Sequence, residues 1–163
     1  MKKKIYVLGS IFASLLLVIT IAVTLLTSSK VEHKDKDKML EASSLTMQCY
    51  EEIKKYKIEH NIPLASQDKY ESYMIGEWLS PLNTTEGEVD AKNTSVNPNF
   101  AALYISYFST LGLKEGDNIV TMFSGSFPCL NISCLAACKV YGLNPYVMAS
   151  IGASSYGANN VDF

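Results

Sequence analysis

The sequence predicts an α/β protein in which an N-terminal transmembrane helix precedes a parallel-sheet domain. Three observations carry that expectation. Ile5 to Thr27 contains no charged residue. Phe100, Leu103, Tyr104, Tyr107, Phe108 and Leu111 recur at helical spacing. Residues 118 to 151 then read as strand, loop, apolar helix and strand.

The first element is the apolar run. Its 23 residues, at ~1.5 Å rise each, extend about 35 Å, which exceeds a hydrocarbon core of ~30 Å. A cleavable signal has a shorter apolar region, and Thr27-Ser28-Ser29 is a weak cleavage site, so residues 1–29 are expected to be an uncleaved anchor. Lys2, Lys3 and Lys4 precede the run, and Lys30, Lys34, Lys36 and Lys38 follow it. The basic residues are nearly balanced, but a very short leading tail usually stays in the cytoplasm. The expected placement is therefore the cell membrane, single-pass, with the domain extracytoplasmic.

Residues 30–38 alternate Lys with Glu32, Asp35 and Asp37 and read as a solvated linker. The domain is expected over 39–163. It opens with a helix from Met39 to Glu59, where Ala42, Leu45, Cys49, Ile53 and Tyr56 share one face; Asn61-Ile62-Pro63 ends it. Leu64 to Thr94 shows no clean period and reads as a long irregular segment with one short strand. Asn97 then supplies an N-cap, Pro98 the first helical position and Gly112 the stop for the next helix. Asn118–Phe123 reads as a strand, Cys129–Tyr141 as a buried helix closed by Gly142, and Tyr146–Ile151 as a second strand. A strand–helix–strand unit implies parallel pairing, hence a partial Rossmann-like sheet. Two parallel strands leave edges and one face uncovered, so the chain reads as the front of a longer protein or as one that completes its sheet with another chain.

Composition excludes one class of partner. Formal net charge is −2, and all 14 basic side chains are Lys. A nucleic-acid binder normally carries a basic stripe with bidentate Arg contacts, so no nucleic-acid partner is expected. No cofactor signature is present. Cys129, Cys134 and Cys138 fall on one helix without a second ligand pair, which favours buried small hydrophobes over zinc.

Chemistry is expected at the carboxyl ends of the strands. There the chain places Ser124-Gly125-Ser126 and Gly152-Ala153-Ser154-Ser155 at one edge. The first loop opens a helix, whose N–H groups and dipole favour a carboxylate or phosphate. Three readings of Ser126 stay open: a helix cap beside a turn glycine, an anion ligand, or a nucleophile on a strand-to-helix turn. Gly-x-Ser-x-Gly is not met, because Phe127 and Pro128 follow. Lys92 is most simply a surface lysine, but folded over the loops it could serve as base or charge clamp. His33 and His60 read as solvated, and Trp78 as packing.

Several segments carry a resemblance. They are Ser80-Pro81-Leu82-Asn83-Thr84-Thr85, Ala91-Lys92-Asn93-Thr94-Ser95, Asn97-Pro98-Asn99-Phe100-Ala101-Ala102, Ser124-Gly125-Ser126-Phe127-Pro128 and the run from Ser150 to Asn159. In that order they resemble the poly-gamma-glutamate system protein family, over roughly Met39 to Phe163. Members of that family continue well beyond this length. The resemblance implies a membrane-anchored accessory component for synthesis, export or anchoring of an anionic capsule polymer. Its expected partners are the cell membrane and either poly-gamma-glutamate or its synthase membrane subunits. The ligand-binding set would be Ser124, Gly125, Asn97, Asn99, Ser154 and Ser155. Two alternatives remain at this point: a hydrolase or transferase of gamma-glutamyl amides using Ser126 and Lys92, and a non-catalytic scaffold for the synthase complex.

Overall fold

A computed structural model describes the backbone of residues 2–27 and 33–161, and side chains over 12–24 and 33–161. It divides the chain into two compact units, Met1–Lys34 and Asp35–Phe163.

The first unit holds α1 (Lys2–Thr27). Among the described residues, no helix is long and apolar enough to cross a membrane. This finding corrects the expected transmembrane anchor and, with it, the single-pass membrane placement. The side chains of α1 are described from 12 to 24. They are exposed, and Thr20 and Thr24 donate their hydroxyls to the carbonyls of Leu16 and Thr20 one turn back. The cleavage candidate at Ser28-Ser29 and residues 30–32 of the linker lie outside the described residues.

In the second unit the structure gives α2 (Lys36–Glu59), β1 (Asn83–Thr85), α3 (Val89–Ser95) and α4 (Phe100–Thr110). They are followed by β2 (Asn118–Phe123), α5 (Pro128–Tyr141), β3 (Asn144–Ala149) and β4 (Ala153–Ser154). Lys36 to Lys38, expected as linker, form the first turn of α2. Asn61 stops that helix in the left-handed region at φ 56, with Ile62 N–H donating to Lys57 O. The start of α4 differs from the expected Asn97 cap: the helix begins at Phe100, and Asn97 Oδ1 accepts the N–H of Asn99 in a turn just ahead of it. Gly112, at φ 72, closes α4 while Leu113 N–H returns to Phe108 O.

The expected strand–helix–strand unit is present. β2 and β3 pair in parallel from Asn118↔Asn144 to Phe123↔Ala149. β3 starts and ends two residues earlier than expected. A second parallel pair joins β1 to β4 through Asn83↔Ala153 and Thr85↔Ser154. Helices α2, α4 and α5 pack together over one face of β2. Ala42, Ala101, Ile105, Phe108, Ala137 and Tyr141 fill the space between them, with Ile119 and Phe123 below. Alternation along β2 turns Val120 and Met122 to the opposite face, where they are exposed beside Tyr146 and Met148.

Candidate functional site

The loops at the ends of β2 and β4 are laced together because glycines let backbone meet backbone. Gly125 N–H donates to Gly152 O at 3.0 Å, and Ala158 N–H donates to Gly125 O at 2.7 Å. A Cβ on Gly157 would lie 2.5 Å from Gly125 O and 3.0 Å from Ser126 Cα. A Cβ on Gly76 would collide with Gly157 O. Any side chain at these positions would push the loops apart.

A polar lattice holds the same end from behind. Asn159, fully buried, accepts from Glu77 N–H and donates to Glu77 O and Asn83 Oδ1, each at 2.8 Å. Asn83 in turn donates to Ser155 Oγ at 3.2 Å. Ser155 therefore has a structural partner and lies behind the cluster.

Lys92 is the centre of the site. It belongs to α3, a short helix that the sequence reading placed within an irregular segment. Asn93 fixes α3 by accepting Lys69 N–H at 2.9 Å and donating to Gln67 O at 3.0 Å. The lysine expected at the surface is instead 2% exposed. Its Nζ donates to Ser126 O and, at 2.6 Å, to Ser154 Oγ. It also stands 3.8 Å from the centre of the Phe127 ring, a cation–π contact that returns part of the lost hydration. Burial pushes the ammonium down to a pKa of about 8. No acidic side chain contacts it among the described residues.

The hydroxyls divide the work. Ser126 Oγ accepts the N–H of Ser154 at 3.0 Å. It does not cap α5, whose N-cap is Phe127 with Pro128 at the first helical position. The lysine reaches the Ser126 carbonyl and not its hydroxyl, so the expected Ser126–Lys92 pairing is replaced by Ser154–Lys92. Ser124 is exposed and takes Ser126 N–H on its hydroxyl at 3.3 Å. Asn97 and Asn99 are exposed at the head of α4, and no hydrogen bond among the described residues joins them to the cluster.

Gly87 covers the group. A Cβ there would stand 3.0 Å from Ser154 Oγ and 2.9 Å from Ser155 O, so the 86–88 segment lies directly on the serine. Phe127 and Gly87 were not singled out from sequence. The signal for Phe127 was its place in the loop entering α5, and Gly87 had none beyond its residue type.

The remaining candidate residues lie elsewhere. Cys129, Cys134 and Cys138 are free and buried, and burial raises the Cys129 thiol to about 12. Among the described residues no group of three or more His, Cys, Asp or Glu could hold a metal. His60 is exposed and stacks on Tyr56 at 3.8 Å. Comparison with family models, curated proteins and solved structures gives no match for this chain.

Proposed function

We propose that the domain holds a carboxylate of an anionic chain at Lys92, Ser126 and Ser154. In this role it serves as an accessory component in synthesis, export or anchoring of poly-gamma-glutamate, with the polymer or its synthase as partner. The observation that carries this reading is the ammonium of Lys92, 2% exposed with no carboxylate beside it among the described residues. A buried charge without a counter-ion is expensive, and an incoming carboxylate offsets that cost while accepting from the nearby hydroxyls. Poly-gamma-glutamate presents one free carboxylate per residue. Glu86 and Glu88 flank the Gly87 cover on the solvent side, where their repulsion is screened over ~8 Å at physiological salt. Admission of the ligand requires the 86–88 segment to swing away from Ser154.

Calorimetric titration of the full chain with gamma-linked glutamate oligomers tests this. Binding should weaken with salt and fall about tenfold per pH unit above pH 8, where the free lysine loses its proton. Lys92→Met should abolish it. Unchanged affinity in that variant, or no binding to the oligomer, would refute the reading.

A further inference from the structure

The same cluster has the parts of an acyl-transfer centre, with a different serine from the one the sequence suggested. We infer that Ser154 is a nucleophile and Lys92 its general base, so that the cluster cleaves or transfers acyl groups of amide- or ester-linked chains. The inference rests on the reading that this cluster admits a carboxylate-bearing chain once the 86–88 segment moves.

Geometry supports it first. Lys92 Nζ lies 2.6 Å from Ser154 Oγ, within reach for direct proton transfer. The lysine is oriented by the Ser126 carbonyl and by the Phe127 ring. Ser154 is oriented through its own N–H, which donates to Ser126 Oγ at 3.0 Å. Ser126 is thus a positioning residue. Each partner is held by groups other than the one it reacts with, which is the arrangement an activated nucleophile needs.

Electrostatics supports it second. A serine–lysine pair works only if the amine can be neutral near the working pH. No carboxylate among the described residues holds Lys92 charged, and burial brings its pKa to about 8. The backbone at Gly87 covers the hydroxyl, and Glu88 O accepts the Lys92 N–H at 3.2 Å, so movement of that segment uncovers Ser154 and is coupled to the lysine's own helix.

Neutral Lys92 takes the Ser154 hydroxyl proton as Oγ bonds to the substrate carbonyl carbon. The tetrahedral oxyanion collapses, the carbon–nitrogen bond breaks, and the leaving amine takes the proton from Lys92. Water then attacks the acyl-serine ester, passing a proton to Lys92, and Ser154 departs with that proton. One amide and one water become one carboxylic acid and one amine. Binding and chemistry therefore have opposite pH signs: the ammonium holds a carboxylate below about pH 8, and the neutral amine activates Ser154 above it.

The test is labelling of the full chain with a fluorophosphonate, a serine-directed phosphonylating reagent, followed by intact mass and peptide mapping. A single adduct on Ser154 is expected, its rate rising about tenfold per pH unit and levelling near pH 8. Lys92→Met should slow labelling at least about a hundredfold. Ser154→Ala should remove the adduct while its circular dichroism and cooperative unfolding transition stay those of the wild type, which shows that the variant is folded. An adduct on Ser126, no adduct, or a rate flat from pH 6 to 9 would overturn the inference. Labelling at Ser154 without oligomer binding would support this inference and sink the carboxylate-holding role.

Discussion

Lys92 loses nearly all of its hydration in the folded chain, and its pKa falls from 10.5 to about 8. The sign of the linkage is fixed by that direction. Between those values the unfolded chain binds more protons than the folded one, so this group's penalty is full below about pH 8 and disappears by about pH 10.5. Its size is on the order of 3 kcal/mol at ~1.4 kcal/mol per pKa unit. Denaturant unfolding of wild type and Lys92→Met across pH 7 to 10.5 should therefore show the variant losing relative stability as pH rises, by about that amount. A lysine kept only as a structural tie would make the variant weaker at every pH. Part of this residue-scale picture was legible: Ser126 and Ser154 stood out because strand-ending loops of small hydroxyl residues are recognisable locally. Lys92 was legible as a base or clamp that could fold over those loops, but its burial was not, because it sits in Val-Asp-Ala-Lys-Asn-Thr-Ser, which has no apolar period to announce a helix or a buried face.

At the scale of elements, the site depends on how closely the loops after β2 and β4 approach. Gly157→Ala places a methyl 2.5 Å from Gly125 O, so this substitution should cost about 1–3 kcal/mol of stability. It should also weaken oligomer binding, read by thermal unfolding and calorimetry on the same sample. An effect on unfolding alone would mean that the loop spacing does not shape the pocket. The strand β2 was legible to the residue because β-branched residues are bounded by turn signals on both sides. The helix α5 was also clear, since Gly142 stops it after an apolar run. The start of α4 was misread because Asn97 bonds to the next turn and not to the first helical N–H groups. The β1–β4 pair was not visible, since three residues paired with two carry no period at all.

On the scale of the whole molecule, the apolar core lies on one side of the β2–β3 pair. Ile105 is fully buried between α2, α4 and α5, whereas Met122 is 77% exposed on the other face. Ile105→Ala should therefore cost about 2–5 kcal/mol, and Met122→Thr should stay within about 0.5 kcal/mol, as surface changes do. Equal losses in denaturant melts would show that the second face is covered in solution. The parallel unit and its bare face followed from chain order and strand number, which is why both were legible. The described part of α1 corrects the expected membrane span, which rested on the unbroken length of an uncharged run.

Asn159 reaches back across 76 residues to Asn83 and 82 to Glu77, and that contact separates two parts of the domain by what each needs from the chain. The layer of α2, α4 and α5 draws its core from residues that all precede Asn159. The end of the domain that carries Ser154 and Ser155 cannot close without it. A released chain cut just short of Asn159 would thus hold a packed helical layer beside an unfinished cluster, with Lys92 left in water at its ordinary basicity.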